Sequence, residues 1–521
     1  MSSKLVKANI FILMGNFIFK VGGYVYSLLM MALLPPYYNG ILSVFTSVLG
    51  IFQILSAGGI PPAIAKYLSE YISLGENALA KQIIYSSLKV MGLLGIFFSF
   101  LLVFIISPYL AFNYYKNPDY LIPLSLISLI IPFSLIAGAF RGAFQGLYKT
   151  EYMVASRGAE QGFMIIFSTI LVYCGLSVVG ATLGSVFGYV TSAIISFYLF
   201  KKYILNIIPQ PDEEVKFSFK DELKLMKKII WFAIPVAINA LNEMVLLTIT
   251  LSIMASMISP ILVAYYGIAN TISRIPLMFP NSIATTILPA SASAKVTKNT
   301  DLLDKYISES YRYIAMIIIP ICIGIAILSK PIIMTFCFPK PEYLAGSTSL
   351  SILIIGMGFY SIFSISSSIV QGIKNPRIPM YLLILGSILI IILTCTLVPI
   401  YGMDGAAIGT TITYITITIP IVWISLKFKK TKIAITPYLK MIISSLVMGM
   451  FLLGVVSLTA IPLWGQTIIG LWIGVIIYFF ALLFLKGFTH RDTQILKGFT
   501  SKISFLTPFF NKIYNLMTKY S

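Results

Sequence analysis

Charge, histidine and paired cysteine are all scarce in this chain of 521 residues. Only 10% of the residues are charged, 58% are hydrophobic, and the mean hydropathy is +0.94, whereas soluble domains carry roughly 25% charged residues. The single histidine, His490, excludes a zinc site or a proton relay built on histidines. The four cysteines are scattered without the spacing of a metal site or a disulfide framework. This composition excludes a soluble globular protein and predicts a polytopic membrane protein.

The motifs that mark enzymes are missing as well. The sequence has no Gly-rich phosphate loop with its lysine, no pair of metal-binding histidines, and no nucleophile beside a histidine base. We therefore expect a protein that is not an enzyme and that carries neither a metal nor an organic cofactor.

Long apolar segments dominate what is present. A membrane span needs about 20 apolar residues, and the sequence predicts about fourteen such helices. Their predicted ranges are 8–33, 38–59, 82–107, 121–142, 155–175, 179–200, 229–255, 260–287, 311–329, 345–369, 378–399, 405–426, 435–459 and 466–486. The boundaries between successive predicted spans are least distinct at the short turns near residues 36, 177, 257 and 402. The fold class predicted is all-α and membrane-spanning.

The distribution of basic residues predicts the orientation. Of the 37 Lys and Arg, 32 lie in the two termini, in segments after even-numbered spans, or at the span ends beside them. The opposite side has three, Lys116, Lys330 and Lys340. Cytoplasmic loops carry the excess of Lys and Arg, so both termini should lie in the cytoplasm of a multi-pass protein of the cytoplasmic membrane. The net charge of +20 then reflects topology and attraction to anionic lipid, and no nucleic-acid partner is expected.

The chain contains the same apolar unit twice, about 226 residues apart. The matching pairs are Gln145-Gly146 with Gln371-Gly372, Gly180-Ala181 with Gly405-Ala406, Gly184 with Gly409, Tyr189 with Tyr414, and Pro62-Ala63 with Pro289-Ala290. Internal repeats of this length are typical of secondary transporters, whose substrate sites lie between the two halves near the bilayer midplane. Because each half has an even number of spans, we expect two parallel six-helix lobes around a central cavity.

This repeat predicts five segments. They are an N-terminal six-helix lobe (1–200), a cytoplasmic connector (201–228), a C-terminal six-helix lobe (229–430), two additional membrane helices (431–486), and a cytoplasmic or interfacial tail (487–521).

Two stretches at corresponding places in the halves resemble a known family. The first runs from Phe140-Arg141-Gly142 through Gln145-Gly146 to Ala155-Ser156-Arg157 and Glu160-Gln161, and the second from Gln371-Gly372 through Arg377 to Tyr401-Gly402-Met403-Asp404-Gly405. They resemble the stage V sporulation protein B-like and polysaccharide-exporter branch of the multidrug/oligosaccharidyl-lipid/polysaccharide superfamily. The chain is also similar to lipid II flippases, which share the fourteen-span layout. The resemblance covers about residues 1–486.

The resemblance implies a flippase that carries a lipid-linked oligosaccharide or polysaccharide precursor across the membrane by alternating access. Such carriers are polyprenyl phosphates or diphosphates. In lipid II flippases the two additional spans accommodate a lipid tail, whereas drug-extruding members usually stop at twelve spans. The expected partners are the lipid-linked glycan, membrane lipids and glycan-synthesis enzymes, and the expected oligomeric state is a monomer.

Charged residues inside spans are candidate functional sites, because a charge at the bilayer centre costs at least about 2.5–3.5 kcal/mol. Lys20 lies near the middle of span 1, with Asn16 one turn before it. Span 7, the repeat partner of span 1, carries Asn242 and Glu243, and span 8 carries Arg274 beside Asn270.

We interpret Lys20 and Arg274, with Asn16, Asn242 and Asn270, as the residues that bind the anionic headgroup. An arginine can bind phosphate bidentately, and a lysine acts as a point charge. Lipid II flippases resemble this pattern, but their further cation on span 2 has no equivalent, because 38–59 contains no Lys or Arg. The alternative is a buried ion pair in which Glu243 neutralises Lys20 or Arg274.

Three more charges lie near the predicted cytoplasmic ends of spans 4 and 5. Arg141, Arg157 and Glu160 are candidates for a cytoplasmic gate, although charges at helix ends also serve topology by reaching the interface. Glu243 is a candidate for charge balance or for binding a coupling Na⁺ or H⁺.

Two other functions remain open. A cation-coupled exporter of drugs or organic cations would need an acidic cavity, whereas Lys20 and Arg274 outnumber Glu243. A membrane scaffold for glycan assembly that does not transport would not need charges at the midplane.

The predicted topology can be tested by labelling single cysteines in a cysteine-free background. Val215→Cys should resist an impermeant thiol reagent in intact cells and react after permeabilisation, whereas Lys340→Cys should react in intact cells. Reaction of Val215→Cys in intact cells would show that the predicted orientation is inverted.

Overall fold

The computed structural model describes residues 3–205, 219–280, 300–373, 377–427, 434–458 and 460–489, together with residues 283, 284, 287 and 291. For residues 3–14, 16, 17, 219 and 300 only the backbone is described. Within these ranges the ordered elements are helical. The predicted tail from residue 490 onward, the middle of the connector, and the repeat positions Pro289-Ala290 lie outside the described residues.

Eight α-helices precede residue 256. They are α1 (Ser3–Leu33), α2 (Pro36–Ala57), α3 (Ile60–Ser73), α4 (Asn77–Leu101), α5 (Leu121–Gly146), α6 (Thr150–Leu171), α7 (Ser177–Leu199) and α8 (Phe219–Ala255). Short π-helical segments follow α4, α6 and α7, at Leu102–Ile106, Tyr109–Tyr114, Val172–Leu176 and Phe200–Ile204, and a 3-10 turn, Pro118–Tyr120, precedes α5.

The described helices of the remaining chain form a second series. They are α9 (Pro260–Ser273), α10 (Thr300–Ile327), α11 (Ser329–Cys337), α12 (Ser347–Ile373), α13 (Arg377–Leu426), α14 (Thr436–Ser457) and α15 (Leu463–Phe484). Two 3-10 turns, Ile275–Leu277 and Pro341–Gly346, lie between them.

Ten of the helical stretches are long and apolar enough to cross a membrane, and Ile18–Leu33 is a shorter apolar helix. Two of the ten turn at a glycine with positive φ, Gly175 (φ 89°) and Gly402 (φ 57°). A residue with a side chain is strained at such positive φ values, so glycine favours both turns. These breaks lie where the sequence predicts the short turns near 177 and 402. The all-helical membrane fold is confirmed, and the count of fourteen stays a prediction.

The chain divides into two compact units. The first comprises Met1–Gly267 with Ser387–Ala406, and the second comprises Ile268–Gly386 with Ala407–Ser521. These limits differ from the predicted lobe boundaries, and the five predicted segments stay a prediction.

In the first unit, α2 packs antiparallel on the C-terminal part of α8. A Cβ built on Gly59, just after α2, would overlap the carbonyl of Ala233 in α8, and one built on Gly40 would overlap the carbonyl of Pro260, the first residue of α9. Between them, the Ser47 hydroxyl donates a hydrogen bond of 2.8 Å to the Thr248 carbonyl. In an apolar surrounding, small residues allow helix backbones to approach this closely.

The sequence repeat has a counterpart in helix packing within each unit. A Cβ built on Gly95 of α4 would lie 3.1 Å from Cα of Pro132 in α5, and one built on Gly358 of α12 would lie 2.9 Å from Sγ of Cys322 in α10. The two contacts occupy positions 227 and 226 residues apart. Corresponding helices therefore approach each other at corresponding points.

In the second unit, the two helices that have no counterpart in the repeat pack on α10. The Tyr478 hydroxyl of α15 donates a hydrogen bond of 2.8 Å to the Met316 carbonyl. A Cβ built on Gly449 of α14 would lie 3.0 Å from Cδ1 of Ile327. Helices α14 and α15 are thus attached to α10.

The contact between Gly40 and Pro260 predicts a specific loss of stability. Gly40→Ala should lower the free energy of unfolding by about 1–3 kcal/mol, because the new methyl group overlaps backbone that cannot rotate away. Gly92→Ala is the matched control, since a Cβ at Gly92 would meet no atom within 4 Å, and alanine favours a helix by about 1 kcal/mol over glycine. Thermal unfolding in detergent measures both, and equal midpoints for the two variants would contradict the described packing.

Candidate functional site

Helices α1 and α6 run parallel in close contact, and this contact positions the charges of the first unit. A Cβ built on Gly15 would lie 2.8 Å from Cγ2 of Val154, and one built on Gly22 would lie 3.1 Å from the side chain of Gln161. The two contacts lie seven residues, or about two turns, apart on each helix. Together they fix the register of α1 on α6.

Lys20 lies in this stretch of α1 and is partly buried. The carboxylate of Glu243, which is exposed on α8, lies close enough to attract the Lys20 ammonium. The structure therefore brings together the two residues that the sequence places at matching depth in spans 1 and 7. This geometry is compatible with charge balance and with a shared site for a charged ligand. The side chain of Asn16 is outside the described residues.

Asn242 is engaged in helix packing. Its amide nitrogen donates a hydrogen bond of 2.8 Å to the Ile238 carbonyl, and its side-chain oxygen accepts one of 3.2 Å from the Ser387 hydroxyl. Ser387 belongs to α13 but lies in the same compact unit. Asn242 therefore links α8 to α13, a contact that the sequence pattern does not indicate.

Arg274 and Asn270 belong to the second unit. The sequence places Arg274 midway along span 8, but α9 ends at Ser273, and Arg274 precedes a 3-10 turn. Pro276 explains the break, because proline lacks a backbone N–H and its ring clashes with the carbonyl four residues earlier in an α-helix. Asn270 is 5% exposed. Arg274 thus stands, partly exposed, at a helix end.

The strongest polar cluster lies elsewhere, among α5, α6 and α7. Arg141 of α5 forms an ion pair with Glu160 of α6, and its guanidinium also donates to the hydroxyls of Ser156 and Ser192. The Arg141 side chain is 13% exposed and that of Glu160 is 2% exposed. Glu160 lies about 15 Å along α6 from its first residue, Thr150.

Arg157 lies one turn before Glu160 and has a different surrounding. Its guanidinium carbon is 4.8 Å from the centre of the Phe19 ring, and it is repelled by Arg141 and attracted by Glu160. Within the described residues it has no hydrogen-bond partner for the buried Nε. The Tyr189 hydroxyl of α7 is close to the same three charges and reaches the Gln53 side chain of α2.

The second half of the repeat lacks this cluster. At the offset that relates Gln145 to Gln371, Arg141 corresponds to Ser367. At the offset that relates Gly180 to Gly405, Arg157, Glu160 and Ser192 correspond to Leu382, Leu385 and Ile417. The fold is built in that half without these charges. Gln53, Gln161, Tyr189 and Ser192 were not predicted as parts of the site. The signal that could have indicated them is the polar face of α6, which consists of Ser156, Arg157, Glu160 and Gln161. The second half of the repeat lacks this face.

Contacts at the predicted cytoplasmic side involve the first turns of α8. The Glu222 carboxylate accepts hydrogen bonds of 2.8 and 2.9 Å from Lys89 and one of 2.7 Å from Gln82. The Lys228 ammonium donates one of 3.0 Å to the Tyr71 hydroxyl. These groups join α8 to α3 and α4 within the first unit. No group of three His, Cys, Asp or Glu side chains that could hold a metal occurs in the part of the chain that the structure describes.

Comparison with known proteins gives a consistent result. The family model described as "Polysaccharide biosynthesis protein" matches residues 5–295, and a second model, MatE, matches residues 235–397. An uncharacterized membrane protein of Methanocaldococcus jannaschii is 28% identical over 82% of this chain and 99% of its own length. Lipid II flippase MurJ of Bacillus subtilis is 24% identical over 80% of this chain and 81% of its own length.

Among solved structures, a lipid II flippase MurJ in an inward closed conformation superposes with a TM-score of 0.73. The superposition covers 90% of this chain and 97% of that chain, at 18% sequence identity. At this identity the likeness shows a shared fold.

The buried pair of Arg141 and Glu160 predicts a large effect on stability. Arg141→Ser should lower the free energy of unfolding by about 3–5 kcal/mol, because it leaves the carboxylate buried without a cation. The double variant Arg141→Ser/Glu160→Leu takes the residues of the second half and should recover most of that loss. Chemical unfolding in detergent measures both. A double variant no more stable than the single one would show that the pair is not the source of the effect.

Proposed function

Because the chain belongs to the polysaccharide biosynthesis protein family, we propose that it flips a lipid-linked oligosaccharide or polysaccharide precursor across the cytoplasmic membrane by alternating access. The expected resemblance to the multidrug/oligosaccharidyl-lipid/polysaccharide superfamily is confirmed. The chain is thus a membrane transporter of this superfamily and not an enzyme. The substrate, the direction and the mechanism belong to the proposal.

The observation that carries the proposal is the excess of cations within the helices. Near the middle of the predicted spans the charged residues are Lys20, Arg274 and Glu243, which are two cations and one carboxylate. Arg141 and Glu160, nearer to span ends, neutralise each other. Charges in membrane helices are costly and mark pathways for polar substrates. A net basic interior suits the phosphate or diphosphate of a polyprenyl carrier and is unsuited to an organic cation, so it disfavours a drug exporter.

The added helices supply a second support. A groove of about 640 Å³ between α14 and α15 is lined by apolar side chains, among them Phe451, Phe480 and Phe484. This volume lies within the range of small-ligand sites, about 300–1,000 Å³. An apolar groove on helices that the repeat does not require is a suitable place for part of a polyprenyl tail. We expect the sugar and phosphate to occupy the interior while the tail remains in lipid.

The pair of Lys20 and Glu243 suggests how transport is driven. When an anionic headgroup takes the lysine, the carboxylate loses its partner and can bind Na⁺ or H⁺, and it releases that cation when the headgroup leaves and the pair with the lysine forms again. Glu243 is therefore the proposed coupling residue, and the membrane potential acting on the anionic headgroup is the alternative source of energy.

The headgroup assignment predicts transport defects. Lys20→Ala and Arg274→Ala should each slow flipping of a fluorescent polyprenyl-diphosphate sugar about ten- to a hundredfold in reconstituted vesicles, because each removes a charged hydrogen-bond donor from the phosphate. Arg274→Lys should keep part of the rate, since it retains the charge. Lys224→Ala is a control, because Lys224 is 81% exposed on α8.

The same assay separates binding from charge balance. If Lys20 serves only to neutralise Glu243, the double variant Lys20→Ala/Glu243→Ala should regain the rate that Lys20→Ala lost, since removing both partners of a pair is often tolerated. Recovery in the double variant would refute headgroup binding by Lys20. Normal flipping by all the single variants would refute headgroup binding by these residues, whereas the absence of flipping by the native chain would favour a scaffold that does not transport.

A further inference from the structure

We propose that Arg157 forms a second phosphate-binding site, inside the first bundle and separate from Lys20, which the phosphate or diphosphate of the lipid carrier occupies during transport. The proposal rests on the function proposed above and adds a site within it. The sequence pattern indicates Arg157 only as a candidate for a cytoplasmic gate.

The first argument is the state of the Arg157 guanidinium. It is partly buried on α6, its buried Nε has no hydrogen-bond partner within the described residues, and it is repelled by the like charge of Arg141 and attracted by Glu160. Burying a charge without hydrogen bonds is costly. The stacking on Phe19 compensates only in part, since a cation–π contact contributes about 0.5–2 kcal/mol. An anion that accepts hydrogen bonds from this guanidinium would remove the remaining cost.

The second argument is that the local carboxylate is already used. Glu160 is bound by Arg141, which is itself held by the hydroxyls of Ser156 and Ser192. Arg157 therefore adds a positive charge that the neighbouring side chains do not cancel. The Tyr189 hydroxyl, which can donate a hydrogen bond to a phosphate oxygen, lies close by. An arginine with neutral polar neighbours is a typical phosphate site.

The third argument is that the fold does not need this residue. Leu382 or Leu383 occupies the matching position of the second half, depending on whether the offset is 225 or 226. A helix in the same place in the repeat thus packs with leucine. An arginine kept at a position that accepts leucine, at a cost to stability, indicates a role other than packing.

The fourth argument concerns access and separation from Lys20. Phe19 faces Arg157, whereas Lys20, the next residue of α1, is turned by about 100° and is attracted to Glu243. The two cations thus lie on different faces of one helix. A Cβ built on Gly158 or Gly162 of α6, or on Gly23 of α1, would meet no atom within 4 Å. These glycines therefore leave the surfaces of α1 and α6 uncovered by protein near Lys20 and one turn from Arg157.

The test compares binding and flipping by the full chain in nanodiscs and vesicles. Arg157→Leu copies the second half, so it should unfold at the same temperature as the native chain or higher, yet bind inorganic diphosphate and a polyprenyl-diphosphate sugar about ten- to a hundredfold more weakly. Arg157→Lys should recover part of the binding. Lys224→Ala, exposed on α8, should match the native chain in each measurement.

The outcomes are distinct. Native binding and flipping by a stable Arg157→Leu variant would overturn the proposal and leave Arg157 as a packing residue on Phe19. Binding that depends on Arg157 but is displaced by phosphatidylglycerol in the nanodisc would identify a resident phospholipid and also overturn it. If the native chain flips no lipid-linked sugar, the proposed function fails. If the native chain flips the sugar and Arg157→Leu flips it equally fast, only this inference fails.

Discussion

The cost of an unsatisfied polar group in hydrocarbon is the constraint on which the rest of this structure depends. Backbone groups within a membrane must be paired inside the segment that carries them, so the spans are helices. Water does not drive these helices together, and they associate through close packing and side-chain hydrogen bonds. The contact of Gly184 with Ser168 illustrates both, because the glycine admits the serine backbone and the Ser168 hydroxyl donates to the Ala181 carbonyl at 3.0 Å.

The same constraint applies to the few buried charges. A buried charge is retained where it has an ion-pair partner or a function, and Arg141 has such a partner in Glu160. The repeat offers an internal comparison, because both halves build corresponding helix contacts but only the first contains this cluster. Ser367 and Leu385 occupy the matching sequence positions, and Leu385 is 48% exposed where Glu160 is 2% exposed. The second half therefore has no buried charge at this position, and the cluster is a feature of the first half alone among the described residues.

Much of the fold follows from the sequence, because apolar length and turn residues act locally. The turns at Gly175 and Gly402 lie where the pattern places them. The interruption at Arg274 was not predicted, although Pro276 carries the local signal for it. Other features depend on which helix faces which: the bond from Ser387 to Asn242, the burial of Glu160, and the position of Arg157 on Phe19. A single sequence does not specify how each helix is rotated or which helices are its neighbours, so these contacts could not be derived.

Two ion pairs of the first unit differ in strength for the same reason. Lys89 and Glu222 form an exposed pair, with the lysine side chain 55% exposed, and such pairs contribute about 0–1 kcal/mol. They join α8 to α4, which lie in one compact unit although the repeat assigns them to different halves. The buried pair of Arg141 and Glu160, whose disruption costs about 3–5 kcal/mol, lies between helices of one half. The attachment of α8 to α4 therefore depends little on this ion pair, whereas the contact between α5 and α6 depends strongly on the buried one.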